Sequence, residues 1–217
     1  MLFPNESEIN SLLKEAKTIC KRNNITLGWI DHSYYVANIA SSIAKKLNMD
    51  EKFAYTAGLF HDIGRCFEPK TKVGIHFHEI EGFKFLTQKG YPDLARFCIT
   101  HGFIDKLNMK KNTHLFNGVN DNDRNFYFDF IKNISINEYD KLIELSDNLA
   151  VKEGYITLEQ RLIDLMKRHK YGTKTYWLSK FDEVVKLKEY FDEKLGMPVY
   201  KVIPNFIDES LKFKYNK

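Results

Sequence analysis

Apolar residues recur along most of the chain at intervals of three and four, the spacing that lines one face of an α-helix. Read with their caps, these stripes predict helices near residues 6–22, 31–48, 51–62, 77–89, 92–101, 127–133, 138–151, 157–169 and 176–195. Strand-like alternation is confined to the short run Met197-Pro-Val-Tyr-Lys-Val-Ile. The expected fold class is therefore all-α. Asp50 suits the cap of the third helix, and Gly64 suits a left-handed stop just after it. Gly90 and Pro92 divide two helices, and Thr157 with Gln160 forms a capping box. The segment 103–125 is rich in Asn, Asp and Lys and lacks periodicity, which predicts a surface loop or lid.

Composition narrows the class. With 217 residues, 43% hydrophobic, the chain is long enough to bury a core of its own, so a single domain over 1–217 is expected. The start Met-Leu-Phe-Pro-Asn-Glu-Ser turns polar at once, unlike a signal peptide, and no stretch approaches the roughly 18 apolar residues of a membrane helix. The expectation is a cytoplasmic protein without a membrane partner. Cys20, Cys66 and Cys98 form no Cys-x-x-Cys pair, which argues against a disulfide framework or a thiolate metal site. A net charge of +4 without a basic, aromatic-rich block gives no reason to expect a nucleic-acid partner.

The chemistry lies in polar residues on apolar faces. His32 precedes the stripe Val36, Ile39, Ala40, Ile43 by one turn, and His61 ends the stripe Phe53, Ala57, Phe60. His78 begins the stripe Gly82, Phe85, Leu86, His101 closes Leu94, Phe97, Cys98, and Asp147 follows Ile143 by four. Burying several imidazoles and carboxylates without partners costs on the order of several kcal/mol each. A shared cation satisfies them together. The same rule selects His169, on the stripe Leu158, Leu162, Leu165, which is read as structural because no acid adjoins it. His76 and His114 are read as surface residues.

The adjacent pair in Gly58-Leu-Phe-His-Asp-Ile-Gly-Arg65, with His32 before it and Asp147 after it, resembles the His…His-Asp…Asp pattern of the HD superfamily of metal-dependent phosphohydrolases. The likeness covers about 26–170 and implies an HD-domain helical bundle, with a C-terminal helical extension at about 174–217. His78 in His-Glu-Ile-Glu-Gly82 and His101 in Cys98-Ile-Thr-His-Gly are similar to the branch of that family that holds two metals. The resemblance implies metal one on His32, His61, Asp62 and Asp147, with Asp62 bridging to metal two on His78 and His101. Some relatives with these residues hold one metal, so one or two divalent transition metals are expected. Mixed imidazole and carboxylate donors suit iron or manganese, with zinc, cobalt or nickel also compatible, over magnesium.

The implied function is hydrolysis of a phosphate ester or anhydride of a small metabolite, a nucleotide by preference, with a metal-bound hydroxide as nucleophile and Asp62 and Arg65 as catalytic residues. Arg65 suits a bidentate hold on phosphate, and equally suits an ordinary helix end. Lys70 and Lys72, on the way to His78, add positive potential or are plain surface. The alternative is a mixed-valent di-iron oxygenase related to myo-inositol oxygenase, which shares the fold and the ligand set. Gly90-Tyr-Pro92 spells the signature of cyclic-dinucleotide enzymes but stands at the wrong place after His78. Trp177, Phe181, Val184, Val185 and Lys188 share a helix face that packs on the core or, alternatively, serves a homodimer.

Overall fold

The structure, a computed structural model, describes residues 2–69, 74, 76–103, 116–168 and 174–215. The lysines at 70 and 72 and the histidines at 114 and 169 lie outside the described residues. The helices are α1 (Glu6–Asn23), α2 (Gly28–Lys46), α3 (Glu51–Phe60), α4 (His76–Gln88) and α5 (Pro92–Thr100). They continue with α6 (Asp121–Asn133), α7 (Glu138–Asn148), α8 (Leu158–Arg168), α9 (Lys174–Leu195) and α10 (Phe206–Ser210). A 3-10 turn, Ile63–Phe67, follows α3, and a small antiparallel hairpin pairs β1 (Ala150–Val151) with β2 (Gly154–Tyr155).

The centre is α2, whose Val36, Ala37, Ile39, Ala40, Ile43 and Ala44 are fully buried. α3 crosses it closely because Gly58 has no side chain. A Cβ there would stand 2.8 Å from the Cα of Ala37, inside contact distance of backbone that cannot move aside. Phe53, Phe60, Phe97, Leu142 and Leu145 fill the space among α3, α5 and α7. α6 covers the outer side of α4 and α5 through a second cluster, Ile80, Ile99, Phe116 and Tyr127.

Capping explains the starts. Asp50 accepts from the amides of Lys52 and Phe53, both at 3.0 Å, and Gln160 and Thr157 close their box at 2.9 and 3.3 Å. Asp140 is buried at the start of α7, where it accepts from Asn137 N, Thr100 Oγ1 and Arg96. This carboxylate clamps the end of α5 to α7, and so sets His101 relative to Asp147.

Four expectations change. α6 begins at Asp121 rather than 127, because Asn120 caps a first turn so polar that apolar spacing does not reveal it. Helix α7 ends at Asn148, and the chain enters the hairpin where a helix to 151 was expected. The run 197–203 contains a 3-10 turn, Val199–Lys201, anchored by Val199 N donating to Asp192 Oδ1 at 2.7 Å. Gly64 is not left-handed; it lies inside the 3-10 turn. Its missing side chain serves packing, since a Cβ would stand 1.8 Å from the carbonyl oxygen of His78.

The C-terminal helix α9 buries Trp177, Val184, Leu187 and Phe191 within the chain, against α7 and α8. Tyr200, beside it, accepts from the amide of Leu158, and burial pushes its phenol up to about 12. A raised phenol favours the fold below the ordinary value near 10, and this contribution fades as pH climbs through the folded value. Stability should therefore fall between about pH 10 and 12, and Tyr200→Phe should flatten that part of the denaturation profile. Urea midpoints measured across this range check it; equal slopes in both proteins would refute the assignment.

Candidate metal centre

The polar residues that the helical faces turn inward meet at one end of this core. His32 lies in the second turn of α2, His61 is the C-cap of α3, and Asp62 follows it at the entrance to the 3-10 turn. His78 occupies the first turn of α4, His101 is the C-cap of α5, and Asp147 lies in the last turn of α7. Several stand at helix ends, where the side chain can leave the packed stripe without disturbing it.

They form two groups. His32, His61 and Asp147 each offer a ligand atom within 4.8 Å of the others, and so do Asp62, His78 and His101. Asp62 joins the groups. Its Oδ2 faces His61 Nε2 at 3.8 Å, while its Oδ1 faces His78 Nε2 at 3.2 Å and His101 Nε2 at 3.9 Å. On the other side His32 Nε2 lies 2.8 Å from Asp147 Oδ1, and His61 Nε2 lies 3.6 Å from the same oxygen. The rings follow one another, with centroids 5.4 Å apart for His32 and His61 and 5.0 Å apart for His61 and His101.

Backbone carbonyls choose the tautomers. His61 Nδ1 donates to Gly58 O at 2.7 Å and His101 Nδ1 donates to Phe97 O at 3.0 Å. The lone pair of each ring is thereby left on Nε2, turned to the cluster, as ligation requires. Glu68, which the sequence reading does not single out, stands 3.4 Å from His78 Nδ1, where its charge favours a proton on that nitrogen.

The donor set fits a cation by a further test. Among the described residues, His61 Nε2, Asp62 Oδ1 and His78 Nε2 are buried without a hydrogen bond of proper geometry, the 3.2 Å approach of the last two included. Buried polar atoms are rarely left so, and one of these three belongs to the first ligand group and two to the second. A divalent cation among the imidazole nitrogens and carboxylate oxygens of each group would satisfy them.

The cluster is charged in both senses. Burial alone would raise the carboxyl of Asp62, but Arg65, His61 and His78 hold it well below the usual carboxylate range. Asp147 is likewise held well below it against burial, by His32, His61 and Arg161. Burial depresses His32. It acts the same way on His61 and His78, yet the neighbouring carboxylates outweigh it and leave both rings raised. Both carboxylates are thus anionic and ready to ligate at neutral pH.

Arg65 reaches Asp62 Oδ2 through Nε at 2.6 Å and Glu68 Oε1 through Nη1 at 3.3 Å. These contacts leave Nη2 uncommitted among the described residues. Arg161 on α8 was missed. It occupies the i+3 position of the inward stripe that starts at Leu158, so the wheel that selected histidines would have selected it had arginines been included. Its Nη2 stands 3.7 Å from Asp147 Oδ2, and burial lowers its basicity while Asp147 opposes that.

His76 is a correction. It is buried, with Nδ1 2.9 Å from Glu79 Oε2 and 2.9 Å from the Tyr127 hydroxyl. It does face away from His78, but α6 covers that side of α4, so the far face is interior too. The wheel of one helix carries no record of how many neighbours cover it.

A family model described as the HD domain matches residues 29–171. Ribonuclease Y of Lactobacillus acidophilus is 36% identical over 88 residues, covering 37% of this chain and 14% of that protein. The chain thus spans a small part of the length of that relative. No solved structure matches the chain.

Proposed function

Because the chain belongs to the HD domain family, whose members are metal-dependent phosphohydrolases, we propose that its two ligand groups hold one or two divalent transition metals and that its substrate is a small phosphorylated metabolite, a nucleotide by preference. The observation that carries this reading is Asp62, whose two oxygens face opposite groups of imidazoles with buried, unpartnered atoms around them. His32, His61 and Asp147 would hold one ion, and His78 and His101 the other, with Asp62 between them. Iron or manganese suits this set of nitrogen and oxygen donors. The metal would supply Lewis acidity toward the phosphoryl oxygens and a water deprotonated near neutral pH.

The chain's own residues do the rest. Gly58 O and Phe97 O keep two imidazoles pointed at the site, and Arg65 holds Asp62 in place while Nη2 remains for a phosphate oxygen. His32 and Asp147 are more exposed than the other ligands, which makes their side the mouth. No described helix is long and apolar enough to cross a membrane. The three cysteines are buried and free, in keeping with a cytoplasmic enzyme.

Metal analysis of the purified chain should find a transition metal at about one or two equivalents. With manganese or iron added, a panel of nucleotides and other phosphorylated metabolites should release phosphate. A folded protein that takes up no metal would remove the proposal. Cleavage of an RNA oligonucleotide without turnover of any nucleotide would instead overturn the small-metabolite reading, in the direction that the ribonuclease likeness points. Oxygen consumption with iron and no phosphate release would favour an oxygenase.

A further inference from the structure

Arg161 carries a largely enclosed guanidinium whose side chain makes no hydrogen bond among the described residues. Its Nε is fully enclosed and unpartnered, and only 12% of the side chain meets solvent. Two carboxylates stand near but out of bonding reach, Asp147 Oδ2 at 3.7 Å from Nη2 and Asp164 Oδ2 at 3.8 Å from Nη1. Each is already engaged elsewhere. Asp147 meets His32 at 2.8 Å, and Asp164 accepts from Arg168 Nε at 2.9 Å and is paired with its Nη2 at 2.7 Å.

Attraction from two engaged carboxylates holds the arginine in place without using its donors. A guanidinium carries five N–H groups in a rigid fork that matches the oxygens of a phosphoryl group, and it is never deprotonated in a protein. One carboxylate, Asp147, separates this fork from the imidazoles of His32 and His61. On its other side Arg161 lines a cleft between α8 and α9, with Asn148, Leu162, Trp177 and Phe181. Arg65, by contrast, already spends two of its nitrogens on Asp62 and Glu68.

We propose that Arg161 is a substrate-binding residue that grips a non-bridging phosphoryl oxygen from the α8 side of the metal centre. This rests on the phosphohydrolase reading above and adds the group that holds the substrate's charge. The fork supplies directional donors to an anion seated beside Asp147, and the buried setting keeps water from competing for them.

The test uses the full chain loaded with manganese, with p-nitrophenyl phosphate as hydrolytic probe and orthophosphate as binding probe in calorimetry. Arg161→Gln should weaken orthophosphate binding and raise KM at least tenfold, while manganese content and Tm stay at the wild-type level. Arg161→Lys, which keeps the charge but loses the fork, should fall between the two, and it carries the measurement if the glutamine variant does not fold. An orthophosphate Kd within twofold of wild type in the variants would overturn the role. So would a loss confined to manganese content, which would make Arg161 a support for Asp147 alone. If the wild-type protein itself neither binds orthophosphate nor cleaves the ester, the phosphohydrolase reading fails. If it does both and the variants match it, only Arg161 is wrongly assigned.

Discussion

Asp62→Ala should cost the protein both its metal and its activity, with turnover reduced by about a thousandfold or more, the scale on which electrostatic groups of an active site act. The reason is position. Asp62 is the one carboxylate in the group with His78 and His101, and its second oxygen faces His61 in the other group. Without it, the second group keeps two imidazoles and no carboxylate to offset a divalent cation. Arg65 also loses the carboxylate that it contacts at 2.6 Å, leaving a positive charge beside a vacated ligand position. Asp62→Asn separates charge from shape, since it keeps the volume and removes the anion. Both variants should retain helical circular dichroism. Metal content by mass spectrometry and phosphate release should drop together, and a variant that keeps a full metal complement would sink the assignment.

Gly64→Ala should be the most damaging change of a single methyl group. The added Cβ would stand 1.8 Å from the carbonyl oxygen of His78, 2.5 Å from Gly82 N and 2.8 Å from the carbonyl carbon of His78. All three are backbone atoms of α4, so no side chain can rotate away. Overpacking typically costs about 1–3 kcal/mol where side chains can yield, and more is expected where they cannot. For a chain of this size each kcal/mol lowers Tm by about 2–4 °C, so a fall of roughly 10 °C or failure to fold is expected. Whatever folds should bind metal poorly, because relief of the clash moves His78 away from Asp62. Gly90→Ala is the contrast: its φ of +87° costs about 1 kcal/mol, but nothing lies within 4 Å of the new atom. A Gly64→Ala protein with the Tm of the Gly90→Ala protein would show that α4 can slide.

Much of this site is legible because helical direction is a local property. The spacing of Val36, Ile39 and Ile43 from His32, or of Leu94 and Phe97 from His101, states which way each imidazole leaves its helix. Asp50 and the Thr157–Gln160 box are legible for the same reason, since donor and acceptor are a few residues apart. The start of α6 is not, because a polar first turn capped by Asn120 looks like loop until something packs beneath it. Gly64 misleads in another way. Glycine after a helix usually signals a left-handed turn, but here the backbone is ordinary and a neighbouring helix takes the space.

Helical character, the apolar faces and the histidines and aspartates that interrupt them are all readable from the residues in order. These follow from periodicity, capping and side-chain type, all set within a few residues. The packing of the helices in space is what brings His32, His61 and Asp147 into one group and Asp62, His78 and His101 into another. It alone turned the oxygens of Asp62 opposite ways, buried His76 beneath α6, tied Arg65 to Asp62 and left Arg161 without a hydrogen bond among the described residues. Each of these depends on distances of a few ångströms between helices far apart in sequence. A helical wheel gives the direction of a side chain from its own axis, and not what stands opposite it.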